Sequence, residues 1–363
     1  MNNTSKEFLF KYLNNTAPTG YEVSGQKIWL EYIRPYIDDY FTDAYGNAVG
    51  VINPQANYKV AIEAHADEIS WYVNYINKEG YMYVTRNGGS DYEISPSMRA
   101  KIHVDGKTIP AVFGWPAIHV RDGADRKSKK VPDMETVILD CGCHSDEEVK
   151  ALGIQIGSVV TFDADLAMLN DTYFVGRGLD NRMGGFMIAE VARKLKENKV
   201  KLPFALYIAN AVQEEVGLRG AGMLAHRIKP DIAIVTDVTH DTQTPHYNKI
   251  KQGDLACGKG PVLSHAPAIQ HNVLKLLKDA AQQNNIPIQW QANSRVTGTD
   301  TDAFAYCGEG IPSALISLPL KYMHTTVEMV HQNDIEQCIN LFYHVLTKLQ
   351  PHQNLSYFQD FKL

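Results

Sequence analysis

From about residue 171 onward, short apolar runs alternate with longer amphipathic stretches, and this alternation restricts the possible folds more than any other feature of the chain. The runs at 204–209, 232–236, 287–291 and 314–318 read as strands, and the stretches at 181–197, 218–226, 271–283, 301–305 and 335–349 read as helices. Strands separated by helices cannot be joined by tight hairpins, so the pattern requires a mixed or parallel sheet covered by helices on both faces. In such α/β folds, ligands gather where the strands end. The N-terminal part opens the same unit, with helices expected over 6–13 and 25–36 and strands over 40–43 and 58–63.

Between about residues 69 and 162 the pattern changes. Short alternating segments such as Trp71-Tyr72-Val73-Asn74-Tyr75 and Tyr81-Met82-Tyr83-Val84 are punctuated by Gly80, Gly88, Gly89, Gly106, Gly114 and Gly157. Helical periodicity survives only around 145–152, so this stretch reads as a β-rich insert. At 363 residues the chain exceeds one minimal core. The expected division is therefore an α/β domain formed by 1–68 and 165–363, with 69–164 inserted as a smaller β-rich domain suited to oligomerisation or gating. The basic run at 126–130 reads as a solvated loop.

Composition excludes several classes of function. With 44% hydrophobic and 21% charged residues, the chain is neither disordered nor fibrous. A formal net charge of -6 gives no general attraction to phosphate backbones, so no nucleic-acid partner is expected. Residues 1–19 mix lysines with Asn and Thr and contain no signal-like apolar run, and no later run is long enough to span a bilayer. A cytoplasmic protein with no membrane partner is the expectation. Five scattered cysteines argue against a disulfide framework, and the single-residue spacer between Cys141 and Cys143 is short for a zinc knuckle, so both are expected as buried small residues.

Five segments place carboxylates or imidazoles just past expected strands or at the mouth of a helix. In Ala64-His65-Ala66-Asp67, an extended backbone turns His65 and Asp67 to one side, so Asp67 can orient an imidazole whose other nitrogen holds a metal. Asp180 stands near the N-cap of the 181–197 helix, where an Asp is either a cap or a carboxylate shared by two cations. Glu214 and Glu215 follow the apolar run 204–209, where two adjacent buried carboxylates need a cation or a shared proton. Extended neighbours point apart, so one of the two can bind metal while the other faces substrate. Asp237 ends the 232–236 strand, and His324 follows the 314–318 strand. Together His65, Asp180, Glu215, Asp237 and His324 give one imidazole and two carboxylates per ion if Asp180 is shared. That donor mixture suits zinc, cobalt or manganese better than calcium or magnesium.

These segments resemble the tetrahedral aminopeptidases, the glutamyl and deblocking aminopeptidase-like di-metal exopeptidases. The resemblance extends from Thr16-Ala17-Pro18-Thr19-Gly20 to the last helix. It is most specific in Glu214-Glu215-Val216-Gly217-Leu218-Arg219-Gly220-Ala221, Asp237-Val238-Thr239-His240, Gly258-Lys259-Gly260-Pro261, Gly298-Thr299-Asp300 and His324 with Val327-Glu328-Met329. It implies a metal-dependent aminopeptidase acting on short peptides with two divalent ions per subunit. One ion would be held by Asp180, Glu215 and His324, and the other by His65, Asp180 and Asp237. It further implies Glu214 as general base, Asp67 as the orienting partner of His65, an inserted β-barrel, and a homo-oligomer that assembles as a dodecamer built from dimers. A related di-metal deacylase, carboxypeptidase or dipeptidase would share these metal residues, and a non-catalytic scaffold could keep the fold. Glycoside hydrolysis needs two carboxyls flanking one bond at about 5 to 9 Å, which two adjacent glutamates do not supply.

Overall fold

The computed structural model describes residues 1–121, 131–351, 353 and 355–358. The basic run at 126–130 lies outside the described residues. Four strands form the parallel centre of an eleven-stranded mixed sheet: Ala205–Ala211, Lys59–His65, Ile232–His240 and Ser313–Lys321, in that spatial order. Nearly every residue in them is buried, because helices cover both faces, and this is why they read as continuous apolar runs rather than alternating ones. The long helix Leu179–Glu197 packs against Lys59–His65 and the C-terminal helix Gln332–Lys348, contributing Met183, Phe186, Met187 and Val191 to the main core. Each such fully buried side chain contributes about 1.5–3 kcal/mol of burial free energy.

Antiparallel strands extend the sheet on either side, as Asp39–Thr42 and Ala48–Ile52 do beyond Ala205–Ala211. The sequence pattern does not anticipate Ala48–Ile52, Ala167–Leu169, Tyr173–Gly176, Val262–His265 or Glu328–His331. All are short, and their strand state comes from pairing with neighbours rather than from a period in the sequence. The helix expected over 25–36 is observed as Val23–Ile33 followed by a 3₁₀ turn at Arg34–Tyr36, where Pro35 interrupts the α-helical bonding. The strand expected from Pro287 begins instead at Gln289.

The expected β-rich stretch closes into a six-stranded barrel: Ser70–Ile76, Met82–Asn87, Ile138–Asp140, Lys107–Gly114, Arg99–Val104 and Val159–Phe162. It has its own hydrophobic cluster, centred on Trp71, whose ring lies 5.8 Å from Phe113 and 6.2 Å from Phe162. The helix expected near 145–152 is present as Asp146–Ala151 and is capped by Ser145. The cysteines depart from expectation, since only Cys338 is buried and the other four are half-exposed free thiols. Among the described residues no helix is long and apolar enough to cross a membrane.

Candidate metal centre and active site

Parallel register carries the first functional side chains together. Val235 pairs with Glu63, so two residues further along Asp237 and His65 stand level on neighbouring strands, and Ala211 pairs with His65 on the other side. From there the chain turns into Glu214 and Glu215, with Gln213 in the left-handed region at φ 57°. The turn is closed by Gly217 and Leu218, whose amides donate to the Glu214 carbonyl at 2.8 and 2.9 Å. The two glutamates therefore lie in a tight turn, not in the extended chain assumed from sequence. They nevertheless face different imidazoles: Glu214 Oε2 is 3.9 Å from His65 Nε2, and Glu215 Oε1 is 3.4 Å from His324 Nε2.

Asp180 is not an ordinary helix cap. Gly178 takes the cap position with φ 61°, and Asp180 has non-helical dihedrals (φ -78°, ψ 112°), so its carboxylate leaves the helix axis. Its two oxygens divide between the imidazoles, Oδ1 at 3.3 Å from His65 Nε2 and Oδ2 at 3.2 Å from His324 Nε2. Asp237 Oδ1 stands 3.8 Å from His65 Nε2. All the side chains singled out from the sequence thus meet at one place, at the carboxyl end of the parallel strands. A cleft of about 400 Å³ opens onto Asp180, Glu214, Glu215, Asp237 and His324.

Three further carboxylates hold the arrangement, and the sequence alone gave a role to only one of them. Asp67 Oδ1 lies 3.3 Å from His65 Nδ1, an ion-pair separation without hydrogen-bond alignment, since that nitrogen has no hydrogen-bond partner. Its larger contribution is to the glutamate turn, because it accepts the backbone amides of Glu214 (3.0 Å) and Glu215 (3.2 Å) as well as the Thr19 hydroxyl (2.9 Å). Glu328 accepts from the amides of Leu179 (2.7 Å), Asp180 (3.2 Å) and His324 (2.8 Å), so one buried side chain fixes two candidate ligands. Glu68 anchors Arg177 and Arg182 beneath the same loop and accepts the Ala17 amide at 2.7 Å. Glu63 and Asp300 are also buried nearby, and their carboxyls lie against each other. A glutamate inside the apolar run Val60-Ala61-Ile62 was the signal available for Glu63.

Crowding of acids dominates the electrostatics. Burial pushes Glu214 up to about 10, with Asp237, Asp300 and Glu215 adding to the rise and His65 opposing it. Burial likewise raises Glu63 to about 8 and holds Glu215 and Asp237 above the usual carboxylate range. The imidazoles respond in the opposite sense. Burial would lower His324, but Asp180 and Glu215 overcome it and raise it to about 11, and the surrounding carboxylates raise His65 well above its ordinary value in the same way. Burial would raise Asp180 as well, yet His324 and His65 hold it below the carboxylate range. So many carboxylates in one place favour positive charge there, on the imidazoles or on a bound cation.

The residues fit divalent metal. Two sets of three, His65 with Asp180 and Glu215, and His65 with Glu214 and Asp237, bring ligating atoms within 4.8 Å of one another. Mixed imidazole and carboxylate donors are the chemistry of borderline transition ions. A barrel loop also limits the space on this side. A Cβ built on Gly89 would stand 2.6 Å from His324 Nδ1, and one on Gly88 would stand 3.2 Å from the Glu215 Cβ. Gly89→Ala is therefore expected to displace the imidazole and to weaken metal binding by about ten- to a hundred-fold, as loss of a ligand-orienting contact does. Metal titration followed by calorimetry measures this directly, and affinity equal to that of the unsubstituted protein would show that His324 moves aside without cost.

The fold recurs in known peptidases. A TET aminopeptidase from the marine sediment archaeon Thaumarchaeota archaeon SCGC AB-539-E09 superposes with a TM-score of 0.91 at 25% identity, over 96% of this chain and 98% of that one. The Pyrococcus horikoshii TET1 peptidase, described as assembling into a tetrahedron or a large octahedral shell, superposes at 0.83 with 26% identity, over 95% of this chain and 100% of that one. In sequence, the lysyl aminopeptidase of Pyrococcus furiosus is 31% identical over 346 residues, covering 95% of this chain and 97% of the relative. Fold and site together define a hydrolase of the aminopeptidase class. The profile of the M42 glutamyl aminopeptidases matches residues 46–341, and the chain belongs to that family.

Proposed function

We propose that the chain removes N-terminal residues from short peptides with two divalent ions per subunit, zinc or cobalt, with manganese also suited to the donor set. The observation that carries this reading is the division of Asp180 between His65 and His324 at 3.3 and 3.2 Å, the separation a carboxylate shared by two sites would have. On this reading Asp180, Glu215 and His324 hold one ion, and His65, Asp180 and Asp237 the other. Ions bound there would lower the pKa of a water and polarise the scissile carbonyl. The positive charge would also draw Glu214 down from its raised value, leaving an ionised carboxylate able to take a proton. Glu214 accepts the proton of the attacking water and later delivers it to the departing amine. Asp67 holds this glutamate in place through its backbone amide and sets the orientation of His65. The free α-ammonium group of a peptide is met by the carboxylates lining the cleft. On this reading the segment 69–164 is a separate inserted domain and the protein is cytoplasmic, and the likeness to the TET peptidases supports its assembly into a homo-oligomer built from dimers, up to a dodecamer.

Dialysis against a strong chelator is expected to abolish hydrolysis of aminoacyl amides, and zinc, cobalt or manganese to restore it. Full activity in metal-free protein, verified by elemental analysis, would overturn the reading.

A further inference from the structure

Beyond the carboxylate cluster, the cleft has a second wall whose chemistry is different. It is formed by Thr239 and His240 at the end of Ile232–His240, Gln291 of Gln289–Ala292, Thr297 and Thr299 in the turn that follows, and Met323. Among the described residues lining the cleft there is no lysine or arginine. Its only carboxylates, Asp180, Glu214, Glu215 and Asp237, all belong to the cluster itself. Of the two acids that follow the turn, Asp302 is engaged by the backbone amides of Thr297 (3.0 Å) and Gly298 (3.1 Å), and Asp300 is buried against Glu63. The Thr239 hydroxyl donates to Gln291 Oε1 at 2.9 Å, which fixes the amide plane and leaves Gln291 Nε2 with no hydrogen bond to another described residue. The hydroxyls of Thr297, Thr299 and Thr301 bond one another at 2.9 and 3.0 Å.

We infer that this wall receives the side chain of the substrate's N-terminal residue and selects side chains that carry no charge, with Gln291 as the residue that sets the choice. The inference rests on the reading that the carboxylate cluster is the peptidase centre. A lysine or glutamate side chain entering here would lose its hydration and meet no counter-ion, since burial pushes the imidazole of His240, the one titratable group of this wall, below its ordinary value, whereas an aliphatic chain meets Met323 and an amide meets Gln291. The family description names glutamyl substrates and the Pyrococcus furiosus relative lysyl ones, and the wall of this chain supplies the counter-charge for neither.

The test uses the full-length, metal-reconstituted protein and chromogenic amides of leucine, methionine, glutamine, lysine and glutamate. For each neutral substrate kcat/KM is expected to exceed that of the lysyl and glutamyl amides by about ten-fold or more. Gln291→Glu should raise the lysyl-to-leucyl ratio by about ten-fold or more, since it installs the missing counter-charge. A preference for the lysyl or glutamyl amide in the unsubstituted protein would overturn the inference even if the variant fails to fold, and so would an unchanged ratio in a folded, active variant. Activity with the wrong order of substrates removes this inference alone. Inactivity on the whole panel after reconstitution removes the peptidase reading, and the inference with it.

Discussion

Replacing Glu214 by glutamine is expected to lower kcat by about two to four orders of magnitude while metal content stays unchanged, because the side chain keeps its size and hydrogen bonding but can no longer take a proton. Its neighbour should behave differently. Glu215→Gln substitutes a neutral amide for a charged ligand, so one ion should bind more weakly and excess metal should restore part of the activity. Geometry makes this pair of variants the decisive comparison. The ligand atoms of Glu214, His65 and Asp237 lie within 4.8 Å of one another, as do those of Glu215, His65 and Asp180, so proximity alone does not divide base from ligand. The division is drawn from the facing imidazoles, since Glu215 Oε1 approaches His324 to 3.4 Å and Glu214 Oε2 stays 3.9 Å from His65. Elemental analysis of both purified variants, beside steady-state kinetics, settles the roles. Loss of metal in Glu214→Gln with retention in Glu215→Gln would reverse them, and normal turnover in both would place the chemistry elsewhere.

The sequence conveyed the parallel centre of the sheet because strands buried on both faces must be apolar throughout, and runs such as Phe204–Ala209 have no competing explanation. It conveyed the barrel as a change of period and glycine content. It did not convey Ala48–Ile52 or Glu328–His331, inner antiparallel strands that are short and owe their state to partners far away in the chain. The site divides along the same line. His65, Asp180, Glu214, Glu215, Asp237 and His324 were legible because each is a polar residue just past an apolar strand or at the mouth of a helix. Glu328 was visible only as part of a resemblance, since its function is to accept three backbone amides that the fold brings to it. Glu63 was passed over inside a strand, although a carboxylate buried at the end of an apolar run was itself a sign of a polar centre. The assumption that Glu214 and Glu215 diverge because they are extended gave the correct separation for the wrong reason. What separates them is a tight turn held from below by Asp67.

If Asp180 is shared as proposed, Asp180→Asn is expected to be the most damaging single ligand change, lowering kcat/KM by about four orders of magnitude or more, because a shared carboxylate would neutralise charge at both ions at once. Excess metal should rescue it far less than it rescues Glu215→Gln, and calorimetric titration should find both binding steps weakened rather than one. The backbone should survive the change, since Glu328 accepts the Asp180 amide at 3.2 Å and the Leu179 amide at 2.7 Å whatever the side chain is. A second readout comes from the metal-free protein. Asp180 is held below the usual carboxylate range despite its burial, chiefly by His324 and His65, so its ionised form stabilises the fold at neutral pH. A carboxylate with a depressed folded-state pKa loses that contribution as pH falls through the folded value. Metal-free Asp180→Asn should therefore melt below the metal-free parent at pH 7, and the gap should narrow as acid protonates Asp180 in the parent. The imidazoles constrain the alkaline side. His324, raised to about 11, contributes stability that is complete below its ordinary value near 6.5 and fades as pH rises toward 11, and without Asp180 that fading should begin earlier. If metal-free Asp180→Asn melts with the parent at every pH while both ions still bind, Asp180 is a helix-terminal carboxylate and not the ligand that two sites share.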